Sequence, residues 1–157
     1  MIRKSICLVL TVGPHVASPP LDPLGFRTIV YATDFSGQAA KAAIYALSFA
    51  QDSGAHLYLC HVLGVSKPNG SERLVLQASF ERSLKELIPH SAYDWCSPEC
   101  VIEHGDTATA ILDLAKKVDA DLIVLGARKS SFWLDYVETG VTPAILASAK
   151  CPVLTVC

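Results

Sequence analysis

The chain has 157 residues, of which 51% are hydrophobic and 18% charged, with a formal net charge of −2. That length supports one domain with a sizeable core, and the apolar content excludes a disordered or low-complexity chain. The near-neutral balance leaves no electrostatic footprint for nucleic acid or for an anionic membrane surface.

Read from its start, MIRKSICLVLTVGPHVAS joins a basic end, a short apolar run and small residues, the layout of a secretory signal. The far end of the chain argues for another reading. CLVLTV at Cys7–Val12 and CPVLTV at Cys151–Val156 agree at five of six positions. A cleaved leader has no reason to copy the terminal strand, whereas a chain descended from a tandem repeat does. We read Cys7–Val12 as a structural strand, with the signal as the competing reading. GPHVASPPLDPLG, residues 13–25, is rich in proline and glycine and reads as an extended linker. The expected organisation is therefore a strand and linker over residues 1–25 and a compact domain over 26–157.

Within the domain, strands and helices alternate. TIVYA (Thr28–Ala32) is a β-branched apolar run bounded by turn residues, hence a buried strand. Ser36 is placed to cap a helix with Ala40, Ala43, Ile44, Leu47 and Ala50 at helical spacing, closing at Ser53-Gly54. HLYLCHVL (His56–Leu63) predicts the second strand. A helix from about Glu72 to Leu87 offers Leu74, Leu76, Phe80, Leu84 and Leu87 for burial. Glu99–Gly105 predicts the third strand. A helix from Thr107 buries Ala110, Ile111, Leu114 and Ala115 and carries Lys116-Lys117 in its last turn, where cations suit the dipole. Asp121–Ala127 predicts the fourth strand. Thr142-Pro143 reads as cap and first-turn proline of a short helix, and Pro152–Val156 as the fifth strand. This alternation requires parallel pairing and right-handed crossovers, so the expected fold is a doubly wound α/β sheet. Ligands in such sheets bind beyond the carboxyl ends of the strands, at the switch point. That region gathers Thr33-Asp34-Phe35-Ser36, the end of the second strand with His61, Gly105-Asp106, and the loop from Gly126.

These residues resemble the universal stress protein family over Phe26–Val156. The resemblance rests on FRTIVYATDFS, ALSFAQDSGAHLYLCHV, EHGDTATAILDLAKKVDADLIVLGAR and ILASAKCPVLTV, in that order. It implies a five-stranded parallel sheet in the order 3-2-1-4-5 with helices on both faces. The extra N-terminal strand is then expected to pair antiparallel at a sheet edge, because edges recruit strands. The resemblance also implies tandem or dimeric assembly in which last strands lie side by side. The expected partner is a second copy, joined through sheet edges or by exchange of the N-terminal strand.

One branch of this family binds ATP through a pattern of Gly, two residues, Gly, nine residues, then Gly followed by Ser or Thr. Small residues there let backbone N–H groups approach the phosphates at a helix start. Here Gly126 matches the first glycine, Lys129 takes the second position and Thr139 the third, followed by Gly140. With one residue inserted, Gly140 becomes the third glycine and Val141 follows it. Arg128 and Lys129 are the candidate cations, and Thr139 and Thr142 the candidate hydroxyls. The resemblance implies that Asp34 faces the adenosine end of a nucleotide or its metal. The competing reading makes Asp34 a turn residue that helps Ser36 cap the helix. Candidate ligand contacts are therefore Thr33, Asp34, His61, Gly126, Arg128, Lys129, Thr139, Gly140, Val141 and Thr142, with ATP and magnesium as the implied cofactor. For His61, inside the second strand, a structural role is the competing and favoured reading.

Asp106 or Thr107 reads as a cap and Gly105 as the turn residue before it. The six cysteines do not require a secreted disulfide scaffold: Cys7, Cys60 and Cys151 lie in apolar runs, where a free cysteine acts as a small hydrophobe. The expected compartment is reducing, and cytoplasmic. Cys96 and Cys100 lack the spacing of a metal knuckle and read as an ordinary loop and strand, with a redox pair as the alternative. No paired-histidine, nucleophile-elbow or phosphate-loop motif occurs, so nothing points to catalysis beyond the slow ATP hydrolysis that the resemblance allows. Two functions compete: a stress-response module that binds an adenosine nucleotide, and an interaction module whose glycine loop no longer binds one.

Overall fold

The computed structural model describes residues 8–16, 25–64, 70–127 and 140–157. Its elements in chain order are β1 (Leu8–Thr11), β2 (Thr28–Ala32), α1 (Gly37–Ser53), β3 (His56–Leu63), α2 (Gly70–Glu86), a 3-10 turn (His90–Asp94), β4 (Ser97–His104), α3 (Thr107–Lys117), β5 (Leu122–Gly126), α4 (Val141–Ser148) and β6 (Val153–Val156). They build one sheet in the order β1-β6-β5-β2-β3-β4. All neighbours from β2 to β6 run parallel, and β1 lies antiparallel on β6. Counted from β2, this is the expected 3-2-1-4-5 order with the extra strand on its edge.

Period-two alternation sorts the strands into two cores. Ile29, Tyr31, Leu57, Leu59, Leu122, Val124, Leu154 and Val156 face α1, α2 and the 3-10 turn, while Val30, Ala32, Cys60, Ile123, Leu125 and Val153 face α3 and α4. Both faces of these central strands are covered, which is why their sequences read as continuous apolar runs.

Two helix faces differ from expectation. In α1 the buried residues are Ala39, Ala42, Ala43, Ala46 and Ala50, whereas Ala40 is exposed and Ile44 is 66% exposed. The buried face is thus a stripe of alanines, and the first turn of the helix lies close against the end of β5. In α2, among the described residues, only Leu84 is buried, and Leu74 and Leu76 point outward. The helix contacts the sheet near β4 and β3 through its second half. The short α4 is capped at Gly140 rather than Thr142 and starts at Val141, so Pro143 occupies its third position. That site still suits proline, because the first-turn N–H groups have no partner inside the helix.

Asp121, just before β5, fastens the start of β2: its Oδ1 and Oδ2 accept from the Thr28 and Arg27 amides at 3.1 and 2.8 Å. No helix among the described residues is long and apolar enough to cross a membrane.

Candidate functional site

The sheet reverses its winding between β2 and β5, and the loops leaving these two strands form the switch point. Ala32 pairs with Leu125 and with Cys60, so Thr33 follows beside Gly126 on one side and His61 on the other. The Thr33 amide continues the ladder by donating to Cys60 O at 2.9 Å. Thr33, Asp34, His61 and Gly126 are thus brought together at one end of the sheet. Gly140, Val141 and Thr142 begin α4 at that same end, because the helix must run back before parallel β6 can start. Arg128, Lys129 and Thr139 lie outside the described residues.

The turn after β2 is built from short side-chain-to-backbone bonds. Thr33 is buried, and its Oγ1 accepts from the Phe35 amide at 2.9 Å. Asp34 is exposed, and its Oδ1 accepts from the Ser36 amide at 2.9 Å. Ser36 Oγ in turn accepts from the Ala39 amide and caps α1. Phe35 takes a left-handed conformation, with φ at 59°, which costs a non-glycine residue on the order of 1–2 kcal/mol. That strain is supported by its ring, which lies 4.9 Å from the His61 ring and 5.8 Å from the Phe80 ring of α2. His61 and Phe80 are 4.4 Å apart, closing a triangle of rings over the ends of β2 and β3. His61 Nδ1 lies 2.8 Å from Thr33 O. A carbonyl only accepts, so Nδ1 carries the proton and a neutral ring keeps Nε2 as an acceptor. Phe35 lies in the expected switch-point region but was not among the expected ligand contacts, and Phe80 was expected only to bury its helix. Forty-five positions separate them in the chain, and no local pattern signals such a contact.

Gly126 has a specific packing reason to be glycine. A Cβ there would run into the Ala39 backbone nitrogen and lie 2.6 and 2.7 Å from Gln38 C and Ala39 Cα. The first turn of α1 therefore sits directly on the end of β5. Tyr31 anchors the same turn from below, its buried hydroxyl donating to Ala39 O at 2.6 Å. Gly140 is different: its φ of 179° is open to any residue, and the nearest atom to an added Cβ is 3.5 Å away.

Three helices with described caps start at this end. Ser36 caps α1, and Asp106 caps α3 by accepting from the Thr109 amide and hydroxyl at 3.0 and 2.7 Å. Those bonds hold the Asp106 carboxyl below its ordinary value. Gly105, at φ 113°, supplies the turn before it. In contrast the cap residue of α4, Gly140, has no side chain to bond its leading amides, and among the described residues no side-chain hydrogen bond is made at that cap.

No group of three or more His, Cys, Asp or Glu side chains among the described residues could hold a metal ion. Among the described residues Cys60, Cys96, Cys100, Cys151 and Cys157 are free thiols. Burial pushes Cys60 up to about 12 and Cys151 up to about 11, and also raises Cys96 and Cys100. Reactive thiols need the opposite shift. In native protein at pH 8, Cys60 and Cys151 will resist a thiol reagent that labels Cys157, and denaturant will release both. Mass spectrometry of the labelled peptides checks this, and rapid native labelling of Cys60 would contradict the buried assignment.

The sequence profile described as Universal stress protein family matches residues 25–156. The chain belongs to the universal stress protein family. A family member from Thermus aquaticus, named for its position 3′ of a QAH/OAS sulfhydrylase, is 32% identical over 137 residues, spanning 83% of this chain and 98% of that one. A universal stress protein solved in complex with cAMP superposes with a TM-score of 0.68 at 21% identity, over 83% of this chain and 97% of its own. The Archaeoglobus fulgidus protein solved in complex with dAMP gives a TM-score of 0.63 at 20% identity, over 85% and 99%. At these identities the two structures show a shared fold.

Proposed function

We propose that this universal stress protein is a stress-response module that binds an adenosine nucleotide across the ends of β2 and β5. The observation that carries the reading is the start of α4, whose cap residue Gly140 makes no side-chain hydrogen bond, at the same end of the sheet as the turn that displays Asp34. A helix start of this kind offers backbone N–H groups and partial positive charge to phosphate. In this arrangement Val141 and Thr142 hold the phosphate end, while Asp34 meets ribose hydroxyls or a magnesium ion. The rings of Phe35 and His61 stand at the adenosine end. The cAMP and dAMP complexes of two proteins with this fold support the class of ligand, and ATP with magnesium is the fuller form to be tested. Binding, with at most slow hydrolysis, is the expected activity.

A specific observation favours the second reading, an interaction module without nucleotide. Gly126, the matched first glycine of the ATP pattern, is already required by its contact with α1. Asp34 likewise has a structural task in the turn.

Native mass spectrometry with ATP, AMP and cAMP, each with and without magnesium, separates the two. Binding predicts one nucleotide per chain, lost in Asp34→Ala. In Asp34→Asn the turn can survive, because an amide oxygen accepts the Ser36 amide, but the charge on ribose or magnesium is gone. Binding is expected to fall at least tenfold in both variants. No nucleotide adduct at millimolar concentration would establish the second reading.

A further inference from the structure

The pairing of β1 with β6 has an internal symmetry. Aligning CLVLTV with CPVLTV makes Val9 the counterpart of Val153, Leu10 of Leu154 and Thr11 of Thr155. In the sheet, Val9 faces Thr155, Leu10 faces Leu154 and Thr11 faces Val153. Leu10 thus faces its own counterpart, and the flanking pairs exchange under a two-fold rotation about that point. Two copies of β6 in this register would present the same three residue pairs. The β6 edge is self-complementary, as an isologous interface between identical chains requires.

From this symmetry we propose that β1 is an intrachain stand-in for β6 of a second copy. Docked, it keeps the chain monomeric at this edge; displaced, it lets two chains join β6 to β6.

The chain path favours docking within one chain. Because β1 runs antiparallel to β6, it finishes at the end of the sheet where β2 begins. There Gly13 lies against the foot of α4, so closely that a Cβ would meet Leu146 O at 3.0 Å. Two strand spacings, roughly 10 Å, separate β6 from β2. The eight residues 17–24 have a maximum reach of roughly 28 Å. A strand tethered by so short a segment has an effective concentration in the millimolar range, about a thousandfold above a micromolar second copy.

Burial shows why displacement would favour a pair of chains. Leu8, Val9 and Leu10 remain 45%, 45% and 54% exposed, while Val153, Leu154 and Val156 are 2%, 6% and 0% exposed. The difference lies in the helices: α1 covers Leu154 and Val156, and α4 covers Val153. β1 brings no helix with it. A second β6 arrives with its own α1 and α4 and completes the cover on both faces.

The test compares the masses of the full chain and a chain lacking residues 1–12 by native mass spectrometry at micromolar concentration. We expect a monomer for the full chain and a dimer for the shortened one. Adding a peptide of residues 3–13 to the shortened chain should restore the monomer with peptide bound. A full-chain dimer, or a shortened chain that stays monomeric, overturns the proposal. A full-length variant with Val9→Cys, Thr155→Cys, Cys7→Ser and Cys157→Ser decides the matter even if the shortened chain aggregates. Oxidation should give an intrachain cross-link that runs as a monomer on a non-reducing gel, and a covalent dimer would show exchange and overturn the stand-in.

Discussion

Gly126→Ala will melt about 10 °C below the parent chain, for a loss of about 3 kcal/mol. The residue ends β5 under the first turn of α1, where an added methyl would strike the Ala39 nitrogen and crowd Gln38 C. Neither wall yields cheaply. Ala39 is held from below by the Tyr31 hydroxyl and from its own helix by Ser36, and β5 is paired on both sides. The helix start must therefore lift, which disturbs the Thr33–Ser36 turn and the site with it. Gly140→Ala is the control, since its φ is ordinary and its nearest neighbour 3.5 Å away; its melting point should move by no more than 2 °C. Equal effects at the two glycines, measured by thermal unfolding, would refute the packing account of Gly126.

Leu84→Ala should cost about 3 kcal/mol, the usual range for emptying a fully buried leucine site. Leu84 is 0% exposed and sits in the core with Leu57, Leu59, Ile88 and Ala92. As the main anchor of α2, its loss should also raise amide exchange along that helix before the rest of the domain responds. Leu74→Ala, at a position 70% exposed, should change stability by less than about 0.5 kcal/mol. Denaturant unfolding of the two variants checks the contrast, and similar losses would mean that α2 packs through its first half.

The strands were legible where several local signals coincided. Thr28–Ala32 and His56–Leu63 are β-branched or aromatic apolar runs closed by turn residues, and both form as read. Ser36 and Gly54 cap α1 as their types suggest, Gly54 in the left-handed conformation at φ 62°. The face of α1 differs from the spacing read in the sequence, because helical periodicity admits both Ile44 and the alanine stripe, and packing on the sheet buries the alanines. For α2, composition offered five apolar residues, and tertiary packing buried one of them fully. The 3-10 turn at His90–Asp94 has too short a pattern to register.

The site was legible as a place and only partly as a set of contacts. Thr33, Asp34 and Gly126 follow from strand ends at a switch point. The Phe35–His61–Phe80 triangle and the Asp121 clamp join residues far apart in the chain, which spacing alone does not predict. The repeat in CLVLTV pointed to an antiparallel edge strand, and β1 is one. Its place on its own β6 depends on chain path and tether length.

The most direct test of the nucleotide site is a titration of ¹⁵N-labelled protein with AMP, followed by amide chemical shifts. The account predicts saturable shifts clustered at Asp34, Phe35, His61, Val141 and Thr142, with β4 and the first half of α2 unmoved. Saturable shifts centred elsewhere, or none at millimolar AMP, would contradict it.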